Sequence, residues 1–312
     1  MKKFLIAIAV LAAIGLVVFW FVTAPRTLGA EALAANYQPD LANGEAMYHA
    51  GGCAGCHMTT GQKDKSRLGG GLAFHTAFGT FHAPNISPDA THGIGNWTEL
   101  QFVNAVMRGV GVNNEHLYPA LPYTSYQRMK VSDVRDMFAY IKTLPAEATP
   151  NQPHEVGFPF NIRRLLGGWK FLNMDYQPWQ DDPGKDAQWN RGGYLVEGPA
   201  HCAECHSPRD AMGGIIQASR FAGGKNPDGP GWIPNITPHE DGIKWSAEDY
   251  VMFLETGQTP EFDSVGGSMA EVIENTSKLS PEDREAMAAY LTSLPPRPGK
   301  APADAGTAPA GH

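Results

Sequence analysis

The residues with the most chemical potential in this sequence are two short, matching clusters. Cys53-Ala-Gly-Cys56-His57 and Cys202-Ala-Glu-Cys205-His206 hold all four cysteines of the 312-residue chain, and each closes on a histidine. Cys-x-x-Cys-His is the attachment signal for haem of the c type. Two intervening residues bring both thiols to one edge of a turn, where each adds to a vinyl group. The adjacent imidazole then points at the iron as proximal ligand. Other uses of paired cysteines fit less well. A four-cysteine zinc site spaces its pairs by about 15–20 residues, whereas these two pairs lie in opposite halves of the chain. A thioredoxin-like pair belongs to an alternating strand–helix pattern that is not visible, and a disulfide gives no reason for a histidine after each pair. The expectation is two covalently attached haem c groups, bound by Cys53, Cys56, His57, Cys202, Cys205 and His206, with His57 and His206 on the irons.

An iron held by histidine alone is open to further ligands, and a methionine sulfur on its far face closes it and raises its potential. In the second half the candidate is Met269, in Gly266-Gly267-Ser268-Met269, a small-residue loop suited to close approach. In the first half the position at almost the same distance beyond His57 is Leu121, which cannot ligate iron. The alternatives there are Met129, His116 or no sixth ligand. Met129 stands where the second half has Leu279, just before a helix, a place that equally suits a packing residue.

Stepping from one cluster to the other reveals a duplicated unit. Pro84-Asn85-Ile86-Ser87-Pro88 recurs as Pro234-Asn235-Ile236-Thr237-Pro238, with the Asn at nearly the same distance past the motif His. Gly93-Ile94 and Trp97 recur as Gly242-Ile243 and Trp245, Gly109 recurs as Gly257, and Ala139–Pro145 recurs as Ala289–Pro295. Each copy reads as short helices joined by long loops. Helices lead into the clusters over 43–52 and 192–200 and follow the tryptophans over 99–108 and 247–255. The last pair starts at Ser132 and Ser280 and stops at Pro145 and Pro295. Strand signals are scarce, so the class is mainly α. The boundaries read as an N-terminal segment 1–26, a first unit 27–145, an ordered Pro- and aromatic-rich linker 146–189, a second unit 190–295 and a disordered tail 296–312.

Residues 4–22 form an unbroken apolar run after Lys2 and Lys3. Nineteen residues at 1.5 Å each approach the ~30 Å of a bilayer core, and the leading lysines keep the N-terminus in the cytoplasm, with the remainder outside. An uncleaved transmembrane anchor is favoured over a signal peptide, whose apolar stretch is shorter; a small-residue site does occur at Ala32-Leu33-Ala34. The balance is acidic, 32 Asp and Glu against 24 Lys and Arg, which argues against a nucleic-acid binder. Gly69-Gly70-Gly71 lacks the lysine of a phosphate loop and reads as a turn.

Taken together, the Cys-x-x-Cys-His clusters, the two Pro-Asn-Ile loops, Gly93–Thr98, Leu117–Tyr126 and Gly198–Arg209 resemble the membrane-anchored multihaem cytochrome c subunits of bacterial periplasmic alcohol, gluconate and aldehyde dehydrogenases. The resemblance covers about residues 40–295. It implies two tandem class I cytochrome c domains, and a role passing electrons one at a time from a periplasmic dehydrogenase towards a terminal oxidase or another cytochrome. It also implies a methionine at position 121, where this chain has leucine. That departure keeps an alternative open: a haem enzyme, peroxidase-like or thiosulfate-oxidising, with an open first haem. The expected location is the inner membrane, held by the single N-terminal helix, with both haem domains in the periplasm. Members with three haems carry a further domain, for which this sequence has no third cluster. Arg163, Arg164, Asn85 and Asn235 are read either as partners of haem propionates or as linker and loop residues.

Overall fold

The computed structural model describes residues 1–226 and 231–301. A 21-residue apolar helix, α1 (Lys2–Val22), leads the chain, and the two copies then repeat one plan. The first contains α2 (Leu41–Ala50), α3 (Cys53–His57), a hairpin of β1 (Ala73–Thr76) and β2 (Gly79–His82), α4 (Glu99–Arg108), α5 (Tyr123–Tyr126) and α6 (Val131–Ile141). After α7 (Leu165–Asn173), the second contains α8 (Ala187–Glu197), a two-residue ladder of β3 (Gly224–Lys225) with β4 (Trp232–Ile233), α9 (Ala247–Thr256), α10 (Ser268–Thr276) and α11 (Pro281–Thr292).

Helix starts follow their caps. Thr98 and Gln101 close a capping box on α4, and Ser246 and Asp249 do the same on α9. Ser280 caps α11 with Pro281 in its first turn. The helix expected from residue 192 begins at Ala187, because the Asp186 carboxylate accepts the Trp189 N–H. In each copy the first helix crosses the last, α2 on α6 and α8 on α11. The crossings are close because of Gly44 and Gly192: a Cβ there would fall 2.2 Å from the Asp136 carbonyl and 1.8 Å from that of Ala286. Around them the cores close on Met47, Val103, Val134 and Ile141, and on Leu195, Val196, Met287 and Leu291, all buried.

The segment between the copies wraps over both. Trp179 donates its backbone N–H to Arg128 and packs its ring on Tyr290, while the Trp189 indole donates to Ser293. Of the tail, Arg297 is bound to Thr237 and Asn235 and Gly299 lies against Ala222; the expectation of disorder beyond residue 301 falls outside the described residues.

Candidate haem sites

Both Cys-x-x-Cys-His clusters sit on tight turns that follow the first helix of their copy. α3 carries Cys53, Cys56 and His57, and a 3-10 turn over Cys202–Glu204 leads to Cys205 and His206. The His57 Nδ1–H donates to the Pro84 carbonyl at 2.8 Å, and the His206 Nδ1–H donates to the Pro234 carbonyl at 2.9 Å. A carbonyl only accepts, so Nδ1 carries the proton and Nε2 keeps its lone pair. Burial lowers both imidazole pKa values, which holds the rings neutral. A neutral imidazole with Nδ1 engaged and Nε2 free is the form that ligates a metal, and the carbonyl fixes its orientation. The residues therefore fit haem iron.

The repeated motifs explain how that carbonyl is held. Asn85 is 2% exposed. Its Nδ2 donates to the carbonyls of Glu147 (2.6 Å) and Thr149 (3.0 Å), and its Oδ1 accepts from Ser87 N. Asn235, equally buried, donates to Arg297 and accepts from the backbone and hydroxyl of Thr237. Both asparagines thus staple the Pro-Asn loop to the chain leaving the last helix, and these contacts place them in loop packing. Gly70, in the triple-glycine run, donates its N–H to the His57 carbonyl, and Gly223 does the same for His206. Both have positive φ, and a Cβ would strike the strand before the Pro-Asn loop, 2.5 Å from Ala83 O and 2.6 Å from Ile233 O. Sequence reasoning missed this pair. The signal was a glycine between each motif His and the Pro-Asn loop, Gly70 within a run that reads as a turn.

Burial pushes the Cys53 and Cys202 thiols up to about 12. That is opposite to the depressed values of redox-active Cys-x-x-Cys thiols. Among the described residues no group of three or more His, Cys, Asp or Glu is placed to hold a metal ion, so a four-cysteine zinc site does not fit either.

The far-side candidates divide. Met269 lies, half-buried, in the first turn of α10, where the sequence suggested a loop; Gly267, at positive φ, turns the chain into that helix. Leu121 is half-buried in the matching stretch of copy 1, ahead of α5. Two residues are added to this stretch in copy 2: the bridge Val110–His116 corresponds to Gln258–Ser264, while Tyr123 under Gly109 corresponds to Ile273 under Gly257. Met129 is 1% exposed, and its N–H donates to Tyr126 just as that of its counterpart Leu279 donates to Thr276. The turn before it carries it against Gly198 of the other copy. His116 is buried with Nε2–H donating to the Thr23 carbonyl at the end of α1 (2.9 Å), so its ring ties that helix to copy 1. Arg163 and Arg164 are also committed elsewhere. Arg163 donates to the His116 carbonyl and lies over Tyr118, and Arg164 bonds Thr23 Oγ1 and lies over the Trp20 ring.

The two motifs face each other across the junction between copies, in reciprocal fashion. Thr124 and Ser125 of copy 1 donate to Glu204, inside the second motif. Glu271, Glu274 and Asn275 of α10 meet Lys65, Gly55 and His49 around the first. At the centre Tyr126 donates its hydroxyl to Gly51, just before Cys53, and its ring meets the edge of His201, the residue before Cys202, at 5.5 Å.

A sequence model of the cytochrome c family matches residues 41–145 and 192–295. The chain belongs to the cytochrome c family. It is similar to a diheme cytochrome c-type protein of Cereibacter sphaeroides, 45% identical over 265 residues covering 84% of this chain and 88% of the relative. It is also similar to the fructose dehydrogenase cytochrome subunit of Gluconobacter japonicus (38% over 269 residues, 84% of this chain, 54% of the relative). A third relative is the cytochrome c subunit of a quinone-dependent alcohol dehydrogenase of Gluconobacter oxydans (34% over 299 residues, 92% of this chain, 60% of the relative). The chain thus spans most of the first relative and little more than half of the other two. This cytochrome c is mainly helical, with two tandem haem domains, two covalent haem c groups and a role in electron transfer. The one-electron redox chemistry is the haem's; the protein fixes ligand, burial and spacing.

Proposed function

We propose that this cytochrome takes electrons one at a time from a periplasmic dehydrogenase and passes them through its two haems towards a terminal oxidase or another cytochrome. The observation that carries this reading is the reciprocal junction, which brings the two attachment motifs together with the Tyr126–His201 ring pair between them. A dehydrogenase donor is supported by relatives named as dehydrogenase cytochrome subunits.

α1 serves as an uncleaved membrane anchor in this reading. An 18-residue stretch of it has a mean hydropathy of 3.0, and none of its residues is buried in the protein. The chain that follows is stitched to copy 1 where a signal cleavage would fall: Leu28 pairs with the Asn104 amide, and Arg135 donates to the Ala34 carbonyl. The haem domains then lie in the periplasm.

His57 and His206 are proposed as proximal ligands, with Met269 closing the second iron. In copy 1 Met129 is the candidate sulfur, buried at the place that Leu279 holds in copy 2. Magnetic and optical spectra of the full-length holoprotein test both assignments. Met269→Ala is expected to convert one low-spin haem to high spin. Met129→Leu, which installs the residue of copy 2, leaves the spectra unchanged if Met129 packs and abolishes a second sulfur ligation if it ligates. A high-spin haem in the native protein that reacts with peroxide would overturn the simple carrier in favour of a reactive first haem at Leu121.

A further inference from the structure

The segment between the copies is built inside out. α7 buries Lys170, 1% exposed, and turns Phe171 (56%) and Leu172 (79%) outward. The lysine is accommodated because its Nζ donates to the carbonyls of Arg108 and Gly109 at the end of α4 and lies over the Tyr123 ring. Among the described residues the outward face has no such account. Leu165 shares it, and Phe158, Phe160 and Ile162 extend it upstream, with Phe158 81% exposed. Beyond α1, half of the large apolar side chains exposed among the described residues lie between 158 and 172. Apolar side chains exposed at this density along one segment mark an interaction surface.

Its place in the fold identifies the partner. α7 packs against the last turn of α1: a Cβ on Gly167 would lie 2.3 Å from the Thr23 carbonyl, and Arg164, which immediately precedes α7, lies over Trp20 and bonds the Thr23 hydroxyl. Trp20 to Thr23 is where an anchor starting at Phe4 leaves the hydrocarbon. The apolar face of α7 is therefore fastened at the level of the lipid headgroups. A helix at that depth buries an apolar face at the headgroup–acyl boundary.

We infer that residues 158–172 form an interfacial foot that lies in the outer surface of the bilayer and holds the haem pair at a fixed height and tilt. The inference rests on the reading of α1 as a membrane anchor. Lipid is favoured over a protein partner because the patch is continuous with the emerging end of α1.

The native cysteines are consumed by haem, so one added cysteine takes a single nitroxide label. Phe158→Cys, Leu172→Cys, Val10→Cys in the anchor and the exposed Glu285→Cys as water reference are made in full-length holoprotein. Each is reconstituted in vesicles of phosphatidylethanolamine and phosphatidylglycerol, and collision with oxygen is compared with collision with a soluble nickel chelate. The expected oxygen-to-nickel ratio at 158 and 172 is severalfold above that at 285 and below that at 10. Water-like values at 158 and 172 with an immersed label at 10 overturn the foot and spare the anchor. A water-like value at 10 overturns the anchor itself. Shielding at 158 and 172 that requires a bound dehydrogenase subunit and not lipid assigns the patch to a protein and overturns the proposal.

Discussion

Replacing Asn85 with alanine tests how the haem sites are built. The side chain makes three hydrogen bonds in a place closed to water: two from Nδ2 to the Glu147 and Thr149 carbonyls and one from Ser87 N to Oδ1. Asn85→Ala leaves two carbonyls and one N–H without those partners. At about 1 kcal/mol net for each bond, the loss is about 3 kcal/mol. For a protein of this size that lowers the melting temperature by roughly 5–10 °C. The same loop presents the Pro84 carbonyl to His57 Nδ1, so the imidazole of His57, the proposed ligand of the first haem, is released from its fixed orientation while that of His206 is not. Thermal unfolding by circular dichroism supplies the first readout. A redox titration resolving the two haems supplies the second, with a potential shift expected in the first haem alone. Asn96→Ala, exposed and making one bond to the Ala90 carbonyl, is the control and changes stability by about 0.5 kcal/mol or less. The reasoning is refuted if Asn85→Ala melts with the native protein, or if both haems shift equally.

Three further outcomes follow from other parts of the structure. Gly192→Ala gains about 1 kcal/mol of helix propensity but sets a methyl 1.8 Å from the Ala286 carbonyl, so α8 and α11 must part; a net loss of about 2 kcal/mol or more is expected in urea unfolding. Burial pulls Lys170 down to about 7 from an ordinary 10.5. The unfolded chain then holds the extra proton between those values, so stability is lowest below pH 7 and rises by up to ~1.4 kcal/mol per pH unit above it; Lys170→Met should flatten that slope. Tyr126→Leu removes the ring between the motifs and should slow haem-to-haem electron transfer after flash reduction, whereas Tyr126→Phe, which keeps the ring against His201, should not.

Much of this was legible from residue types at fixed separations. The haem clusters, the duplicated Pro-Asn loops and the helices after Trp97 and Trp245 are local patterns, and local chemistry enforces them. α4 and α9 start where Thr98 and Ser246 place their caps. What escaped depends on partners distant in sequence. Gly266 and Gly267 suggest a loose loop around Met269, yet α10 forms there, with Ile273 and Thr276 packed in their own copy and Lys65 and His49 of copy 1 meeting its outer face. Arg163 and Arg164 look like linker charges until the end of α1 is placed beside them. Within the linker over 146–189 nothing in the sequence marks α7 or the burial of Lys170, which rests on the carbonyls at the end of α4.

The divergence at Leu121 and Met269 belongs to the junction as much as to the irons. In each copy the stretch that carries the far-side ligand position runs directly into the residues that pack on the other copy's motif, Thr124 and Ser125 after Leu121, and Glu271 to Asn275 after Met269. Met269, the proposed ligand, is thus positioned by a helix that copy 1 helps to hold. Lys65 pairs with Glu271 and Glu274 at 2.6 and 2.5 Å, but both carboxylates are nearly half exposed, so the pairs contribute no more than about 1 kcal/mol to stability. Their effect on Met269 is positional, because they lie in the turns that follow it. Lys65→Ala should leave the global unfolding midpoint almost unchanged, yet the sulfur-to-iron charge-transfer band should disappear at a lower urea concentration than in the native protein. If that band and the fold are lost together in both proteins, α10 is held by its own copy alone and the coupling between motif and far-side ligand does not exist.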